Sequence, residues 1–201
     1  MEKKVVNRDL IKKMVLISMF SVLAFVLQLF DFPISALFPG FLKLDFSDIP
    51  ALFSSFMFGP VSGIIVELIK NVLHLFVTST GGIGELANFI VGAAFVGTTG
   101  LIYKFKKDLK SAIIGMVSGT VVMGIIAGFT NYFILIPVYE KLFMPRETII
   151  AICVKILPFV DNLFDVVFFS IVPFNLFKGV IISIITFLLY DRILPLFKIK
   201  Q

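Results

Sequence analysis

The feature of this sequence that most constrains its fold is a series of apolar runs, several of them long enough to cross a lipid bilayer. A transmembrane helix needs about 20 mostly apolar residues. Apolar residues make up 59% of the 201 positions and the mean hydropathy is +1.06, whereas a soluble domain has roughly 45–50% apolar residues. A soluble fold of this length could not bury so much apolar surface. The sequence therefore predicts an all-α integral membrane protein.

We predict six transmembrane helices in a single membrane domain that covers residues 1–201, because the sequence shows neither an internal repeat nor a soluble segment. The predicted helices cover residues 10–30, 48–58, 60–77, 84–103, 111–138 and 173–194. Asp48 is predicted to cap the N-terminus of the second helix, which has Pro50 in its first turn and ends at the Gly59-Pro60 break.

The two longest connections, residues 31–47 and 139–172, are predicted to be loops on the outer side of the membrane. The second is apolar in places, but Lys155, Asp161 and Asp165 interrupt it. Each lone charge near the bilayer centre costs roughly 2.5–3.5 kcal/mol. We therefore expect an interfacial helix in this loop, with a seventh span there as the alternative.

Basic residues are distributed unevenly across this topology. Of the 18 Lys and Arg residues, twelve lie in the N-terminus, the 104–110 loop and the C-terminus, four lie in the outer loops, and Lys70 and Lys178 lie within spans. Since basic loops stay in the cytoplasm, both termini are predicted to be cytoplasmic. The basic residues form no continuous amphipathic stripe, so no nucleic-acid partner is expected.

Five polar side chains are predicted to lie at one depth, in the outer third of the bilayer, on three helices. They are Glu85 and Asn88 in the fourth helix, Asn131 in the fifth, and Asn175 and Lys178 in the sixth. Such groups are costly within lipid, so each is a candidate functional residue. The 31–47 loop and the Gly-rich 78–82 segment open on the same side, which predicts a solute pocket open to the outside. The alternative is that these groups only join helices by hydrogen bonds.

A second polar stripe, formed by Glu67, Lys70, Asn71 and His74, lies on one face of the third helix at spacings of three and four residues. We interpret it as a structural buried ion pair, which we favour over direct contact with a ligand. One His without Cys residues or an HExxH motif does not predict a metal site. The single Cys153 excludes an intrachain disulfide and is expected to be a packing residue.

Nucleotide-binding and catalytic motifs are absent from the sequence. It has no GxxxxGK[ST] loop for the phosphates of ATP and no GxSxG nucleophile motif, and no cofactor is expected. The pattern favours binding over catalysis, although a membrane enzyme that uses Glu67, Lys70 and His74 remains an alternative. Turnover of a substrate by the chain alone would distinguish that enzyme.

Several stretches resemble one family of transporter subunits. They are residues 42–50 (LKLDFSDIP), 58–60 (FGP), 67–71 (ELIKN) with His74, 84–89 (GELANF), 130–132 (TNY), and 173–175 (PFN) with Lys178. They are similar to the substrate-binding S components of energy-coupling factor (ECF) vitamin transporters, and most of them more narrowly to the riboflavin-specific S components. The resemblance runs through all six predicted helices in order.

The resemblance implies a six-helix subunit of the bacterial plasma membrane that binds riboflavin, its transported substrate, near the outer face. It also implies docking onto a transmembrane scaffold subunit and two cytoplasmic ATPase subunits, which would supply the ATP chemistry that this chain lacks. In that family the first helix contacts the scaffold through small residues spaced as in AxxxA. The corresponding residues here are Ser18, Ser21 and Ala24, which do not match that spacing strictly.

Riboflavin also suits the predicted pocket on chemical grounds. The imide edge of its planar ring presents an acceptor, a donor and an acceptor, which asparagine amides and a lysine ammonium can match. A carboxylate can accept hydrogen bonds from the ribityl hydroxyls, and apolar residues of the 31–47 loop can cover the ring. The predicted contact residues are Phe41, Leu44, Thr78, Glu85, Asn88, Asn131, Asn175 and Lys178.

An S component for another vitamin, such as pantothenate or a folate, is the main alternative within the family. Those ligands carry carboxylates, for which we would expect an Arg residue in the pocket. The prediction places no Arg there, so a neutral ligand fits better.

The topology can be tested with reporter fusions. Fusions at Gln201 and near Lys107 should report a cytoplasmic location, and one near Arg146 an external location, because basic segments stay inside. An external signal at Gln201 would instead indicate a seventh span within residues 139–172.

Overall fold

The computed structural model describes residues 8–197, most of which are helical. In chain order the elements are α1 (Arg8–Gln28), β1 (Phe32–Pro33), β2 (Lys43–Leu44), α2 (Asp48–Phe58), α3 (Pro60–His74), α4 (Ile83–Lys106), α5 (Leu109–Thr130), α6 (Ile136–Leu142), α7 (Arg146–Val154), α8 (Leu163–Val166) and α9 (Val172–Ile193). Short 3₁₀ turns, Leu75–Val77 and Leu194–Phe197, follow α3 and α9. Several of the lysines that support the predicted topology, Lys3, Lys4, Lys198 and Lys200, lie outside the described residues.

Two π-helical turns join neighbouring helices into longer ones. Asn131–Leu135 connects α5 to α6, and Val167–Ile171 connects α8 to α9. The segments that are long and apolar enough to cross a membrane are Arg8–Gln28, Pro60–Val77, Ile83–Lys106, Leu109–Leu142 and Leu163–Ile193. Together with the shorter apolar helix α2, they confirm the predicted all-α, six-helix membrane fold.

The helix α2 is too short to cross a bilayer by itself, since its 11 residues extend only about 16 Å. It begins inside the bundle, where the carboxylate of Asp48, its first residue, lies 2.5 Å from Nζ of Lys70 in α3. Near its other end, Ser55 donates a hydrogen bond to the carbonyl of Val96 in α4 at 3.2 Å. Residues 29–47, which we call the descending loop, therefore run down into the bundle and cross the membrane together with α2.

The descending loop contains the short antiparallel pair β1–β2, in which Phe32 lies opposite Leu44 and Pro33 lies opposite Lys43. Nζ of Lys43 lies 3.1 Å from each carboxylate oxygen of Asp31. The pairing gives hydrogen-bond partners to backbone groups of a segment that is not helical. These contacts order a segment that the sequence predicts to be irregular.

The predicted extent of the outer loop over residues 139–172 is wrong, because most of this segment is helical. The helix α6 continues to Leu142, α7 is a separate short helix, and α8 begins at Leu163. The nine residues of α7 extend only about 14 Å. The helix α7 is therefore too short to be a seventh span.

Capping and a π turn explain why the last helix begins earlier than predicted. Asn162 caps α8 by accepting a hydrogen bond from the backbone N–H of Asp165 at 3.0 Å. Asp165 thus lies in the first turn of the helix and not at the bilayer centre. Pro173, the predicted first residue, instead follows the π turn Val167–Ile171. A π turn changes the hydrogen-bond register, which lets a helix continue past a residue that has no N–H.

Tight capping also sets the connection between α4 and α5. Lys107 has a left-handed conformation (φ 53°) that ends α4, and Asp108 caps α5 in a reciprocal capping box with Ser111. Hydrogen bonds from Ser111 hold the pKa of the Asp108 carboxyl below its ordinary value. Because of these local bonds, the connection between α4 and α5 is shorter than hydropathy alone predicts.

Close packing of α2, α3 and α4 depends on Gly63. A Cβ at Gly63 would lie 2.8 Å from the carbonyl oxygen of Ala51 and 2.8 Å from Cβ of Ser55. We expect Gly63→Ala to lower the thermal unfolding midpoint of the purified protein, because overpacking costs about 1–3 kcal/mol. Gly40→Ala is the control, since no atom lies within 4 Å of a Cβ at that position. Equal midpoints for the two variants would contradict this packing.

Candidate functional site

A cavity of about 250 Å³ lies between the descending loop, α4, the α5–α6 segment, α7 and α9. Its apolar walls include Phe41, Leu42, Val91, Met123, Leu135, Ile136, Tyr139, Met144, Ile149, Ile171 and Phe174. The polar side chains that line it include Lys43, Thr80, Asn88, Asn131, Asn175 and Lys178. The cavity lies near the first turns of α4 and α9, at the outer end of the bundle in the predicted topology.

Asn131 and Asn175 present similar amide groups to the cavity from two helices. Asn131 donates one N–H to the carbonyl of Ala127, and Asn175 donates one to the carbonyl of Ile171, each at 2.8 Å. Each bond reaches one turn back along the same helix and holds the side chain in place. In the part of the chain that the structure describes, neither amide makes another hydrogen bond. Each amide therefore retains one N–H and its oxygen for a ligand.

Both asparagines lie next to a π turn. Asn131 is the first residue of the turn Asn131–Leu135, and Ile171, the acceptor for Asn175, is the last residue of Val167–Ile171. A π turn inserts an extra residue into a helix, and such turns are frequent at functional sites. The two turns thus determine which side chains of these helices face the cavity.

Lys178 lies between the cavity and two acidic residues. Its Nζ is 2.8 Å from Oδ2 of Asp45 in the descending loop and 3.3 Å from Oδ2 of Asp48 in α2. The buried carboxylate of Asp45 therefore has an ammonium group beside it. An ammonium has three N–H groups. Lys178 donates one of them to Asp45, whereas its contact with Asp48 Oδ2 lacks hydrogen-bond geometry, so Lys178 can still donate a hydrogen bond into the cavity.

Lys70 extends this arrangement away from the cavity. Its Nζ lies 2.5 Å from Oδ1 of Asp48, 2.9 Å from Oε2 of Glu67 and 2.6 Å from Oγ of Ser47. The Glu67 contact lacks hydrogen-bond geometry, so it acts through charge alone. We call Asp45, Asp48, Glu67, Lys70 and Lys178 the buried ion cluster. Three carboxylates thus surround two ammonium groups, and the lysines leave no uncompensated positive charge.

Asp45 is a site residue that the sequence reasoning missed, and the predicted capping role of Asp48 is wrong. Ser47 occupies the N-cap position of α2 without a side-chain cap, and the Asp48 carboxylate binds lysines instead. The available signal was Lys178, because a lysine within a span needs an acidic partner. The acidic residue of its own helix, Asp191, lies more than three turns away. The partner therefore had to come from another element.

Glu85 and Thr78 lie outside the cavity wall, which differs from their predicted role as ligand contacts. Oε1 of Glu85 is 2.8 Å from Nδ1 of His74, and Oε2 accepts hydrogen bonds from Thr78 and Thr80 at 2.9 and 3.1 Å. Both carboxylate oxygens are therefore occupied within the protein. It is Thr80 that lines the cavity.

Of the other predicted ligand contacts and the polar stripe, some residues line the cavity and others lie behind its wall. Phe41 and Asn88 line the cavity, whereas Leu44 is buried in the β1–β2 pair and lies outside the wall. Asn71 of the polar stripe accepts a hydrogen bond from Gln28 of α1 at 3.1 Å and donates one to Asn88 at 3.5 Å. Asn71 of the polar stripe thus reaches the cavity through Asn88.

The small residues of α1 face two directions. Ser21 and Ala24 are buried in the bundle, with 1% and 0% exposure, whereas Ser18 is exposed. Small side chains let α1 approach its neighbours closely, so Ser21 and Ala24 pack inside this chain. In this structure they are not available to a scaffold subunit. Of the three predicted scaffold contacts, only Ser18 is exposed.

Metal binding is not indicated by the geometry. Among residues 8–197, no group of three His, Cys, Asp or Glu side chains is arranged to hold a metal ion. Cys153 is buried in the apolar core. The arrangement is suited to binding by hydrogen bonds and apolar contact.

The buried ion cluster predicts a large effect of removing one lysine. Lys70→Met should lower the thermal unfolding midpoint or the yield of folded protein, because it leaves the buried Glu67 without its lysine partner and leaves Asp48 with Lys178 alone, at about 3–5 kcal/mol. Lys43→Met is the matched control, since its pair with Asp31 is partly exposed and such pairs contribute roughly 0–1 kcal/mol. Similar midpoints for both variants would show that the cluster does not stabilise the fold.

Comparison with known proteins defines the family. Residues 12–190 match the family described as ECF transporter, substrate-specific component. A relative named riboflavin transporter RibU, from Staphylococcus aureus (strain TCH60), is 40% identical over 191 residues, or 95% of each chain. Another, named riboflavin transporter FmnP, from Bacillus subtilis (strain 168), is 35% identical over 92% of this chain and 93% of its own.

A solved structure agrees with these matches. It is described as "Structure and mechanism of the S component of a bacterial ECF transporter", is 40% identical, and covers 94% of this chain and 98% of its own with a TM-score of 0.73. The alternative of an intramembrane enzyme is therefore wrong. The chain belongs to the ECF transporter family, in which it is a substrate-specific component and not an enzyme.

Proposed function

We propose that this chain is the riboflavin-binding subunit of an ATP-driven vitamin importer in the bacterial plasma membrane. The observation that carries the proposal is a pair of side-chain amides, those of Asn131 and Asn175, in a mostly apolar cavity beside Lys178. Each amide has one N–H and its oxygen free for a ligand. Relatives that cover more than nine-tenths of this chain are named riboflavin transporters.

The polar edge of the flavin ring matches the hydrogen bonds that remain free. The imide edge has one N–H between two carbonyls, so it needs one acceptor and two donors. An asparagine oxygen can accept from the imide N–H. The free N–H groups of Asn131 and Asn175 and a remaining N–H of Lys178 can donate to the carbonyls. The apolar walls suit the faces of a large planar ring.

The ribityl chain needs polar side chains whose hydrogen bonds within the protein are weak enough to be exchanged. Asn88 fits this need, because its two hydrogen bonds, with Asn71 and Asp45, are both 3.5 Å long. Bonds of that length are weak. The Asn88 amide can therefore exchange them for ribityl hydroxyls at little cost.

The charge balance of the site favours a neutral ligand over pantothenate or a folate. Lys178 is neutralised by Asp45 and Asp48, and Lys43 at the cavity wall is paired with Asp31. A ligand carboxylate would have to displace one of these partners and leave it uncompensated, which is costly when the group is buried. A flavin ring carries no such charge.

Active transport requires partners, because the sequence has no nucleotide-binding loop. We propose that these are a transmembrane scaffold subunit and two cytoplasmic ATPase subunits. The lipid-facing side of α1, which exposes Ser18, is available to the scaffold. Ser21 and Ala24 instead support that surface from inside the bundle.

The amide pair predicts a loss of affinity without a loss of folding. Asn131→Ala and Asn175→Ala should each weaken riboflavin binding about five- to 150-fold, because a buried hydrogen-bond partner left unsatisfied costs about 1–3 kcal/mol. Binding can be measured by quenching of riboflavin fluorescence on the purified protein, and its folding by thermal unfolding.

Thr186→Ala is the control for these variants, because Thr186 is also buried in α9 but does not line the cavity. It should bind riboflavin as wild type does. Wild-type affinity in both asparagine variants would place the flavin elsewhere.

The need for partners predicts a separation of binding from transport. The purified chain in liposomes should bind riboflavin but should not accumulate it against a gradient, with or without ATP inside. ATP-dependent accumulation by the chain alone would contradict the proposal that separate subunits hydrolyse ATP.

A further inference from the structure

The segment 78–82, which we call the outer turn, connects α3 and its 3₁₀ turn to α4, and its Thr80 lines the cavity. Beside it, Glu85 is almost completely buried and has both carboxylate oxygens bonded within the protein. We propose that Glu85 is a positioning residue whose carboxylate latches the outer turn across the cavity mouth and so slows release of the ligand. This inference rests on the proposed function for the identity of the ligand, but not for the latch itself.

The hydrogen bonds of the outer turn converge on one carboxylate oxygen. Thr78 Oγ1 accepts from the backbone N–H groups of Thr80 and Gly82 at 3.2 and 3.1 Å, and Thr80 Oγ1 accepts from the N–H of Gly84 at 3.0 Å. Each hydroxyl has a single proton, and both protons are donated to Oε2 of Glu85. The carboxylate thus fixes the threonines, and the threonines fix the backbone.

His74 orients the carboxylate that receives these bonds. Its Nδ1 lies 2.8 Å from Oε1 of Glu85, so the second oxygen is left to face the outer turn. Hydrogen bonds to an ionised acceptor are stronger than those between neutral groups. A residue without an acceptor at position 85 would leave both threonine hydroxyls without their partner.

The outer turn reaches from α3 and α4 to the other side of the cavity. Thr80 lines the cavity, and Gly81, with φ 61°, lies so close to Phe143 that a Cβ would meet its ring. Phe143 follows directly after α6, and its neighbour Met144 lines the cavity. The outer turn therefore spans the mouth, and the latch at Glu85 holds it there.

The first test measures local opening in the protein without ligand. Hydrogen–deuterium exchange of residues 78–84 should be about tenfold faster or more in Glu85→Met and in Thr78→Val than in wild type, because each removes a bond to a charged group. Glu85→Gln, which keeps an acceptor, should lie between. Thr78→Ser, which keeps the hydroxyl, should match wild type. Unchanged exchange in both Glu85→Met and Thr78→Val overturns the latch, whether or not flavin binds.

The second test separates a latch from a direct contact with the ribityl chain. Riboflavin and lumiflavin, which has the same ring without that chain, are released from the loaded protein in stopped-flow fluorescence experiments. A latch predicts that Glu85→Met and Thr78→Val release both flavins about tenfold faster, and that the double variant is no faster than either single variant. Faster release of riboflavin alone would show that Glu85 contacts the ribityl chain, and the proposal would fail.

The two tests also distinguish this proposal from the proposed function. If wild type binds neither flavin while exchange in the outer turn responds as predicted, riboflavin is the wrong ligand and the latch stands. If wild type binds riboflavin and the variants release it at the wild-type rate, the proposed function stands and the latch does not control release.

Discussion

Two lysines inside a lipid-embedded bundle are the constraint on which the rest of this structure depends. A buried ammonium is costly unless carboxylates lie beside it. Lys70 and Lys178 belong to α3 and α9, but Asp45 and Asp48, which bind them, come from the descending loop and from α2. The loop must therefore enter the bundle to deliver these acids, and α2 consequently begins deep and remains short.

The entry of the descending loop into the bundle also shapes the cavity. Phe41 and Leu42 of the descending loop form part of its apolar wall, and Asp45, a few residues later, neutralises the lysine at its polar end. One segment thus supplies part of the apolar wall and the counter-charge of Lys178. In the function that we propose, folding of the loop and selectivity for a neutral ligand follow from one set of contacts.

The sequence predicts those parts of this protein that depend on hydropathy and helix geometry. The apolar runs predict the six helices, and counting along them correctly brings Asn131, Asn175 and Lys178 to one cavity. The acidic partners could not be predicted in the same way, because Asp45 and Lys178 meet across 133 residues of sequence.

Orientation within the bundle is also difficult to predict from the sequence. Because lipid is as apolar as the protein interior, an apolar helix such as α1 shows no polar face to mark its exterior. The inward direction of Ser21 and Ala24 therefore becomes visible only in the structure. Likewise, the helix ends in residues 139–172 depend on π turns and caps, which a hydropathy pattern does not reveal.

The two π turns have a consequence for how such a bundle can change during evolution. Each contains one residue more than an α-helical turn, so deleting a single residue there would restore regular α-helix. Because the wider turn absorbs the extra residue, the helix beyond the deletion would keep nearly its present facing, and only the side chains within and beside the turn would point elsewhere. Since Asn131 and Asn175 adjoin these turns, single insertions and deletions offer a route to new ligands that leaves the rest of the bundle intact.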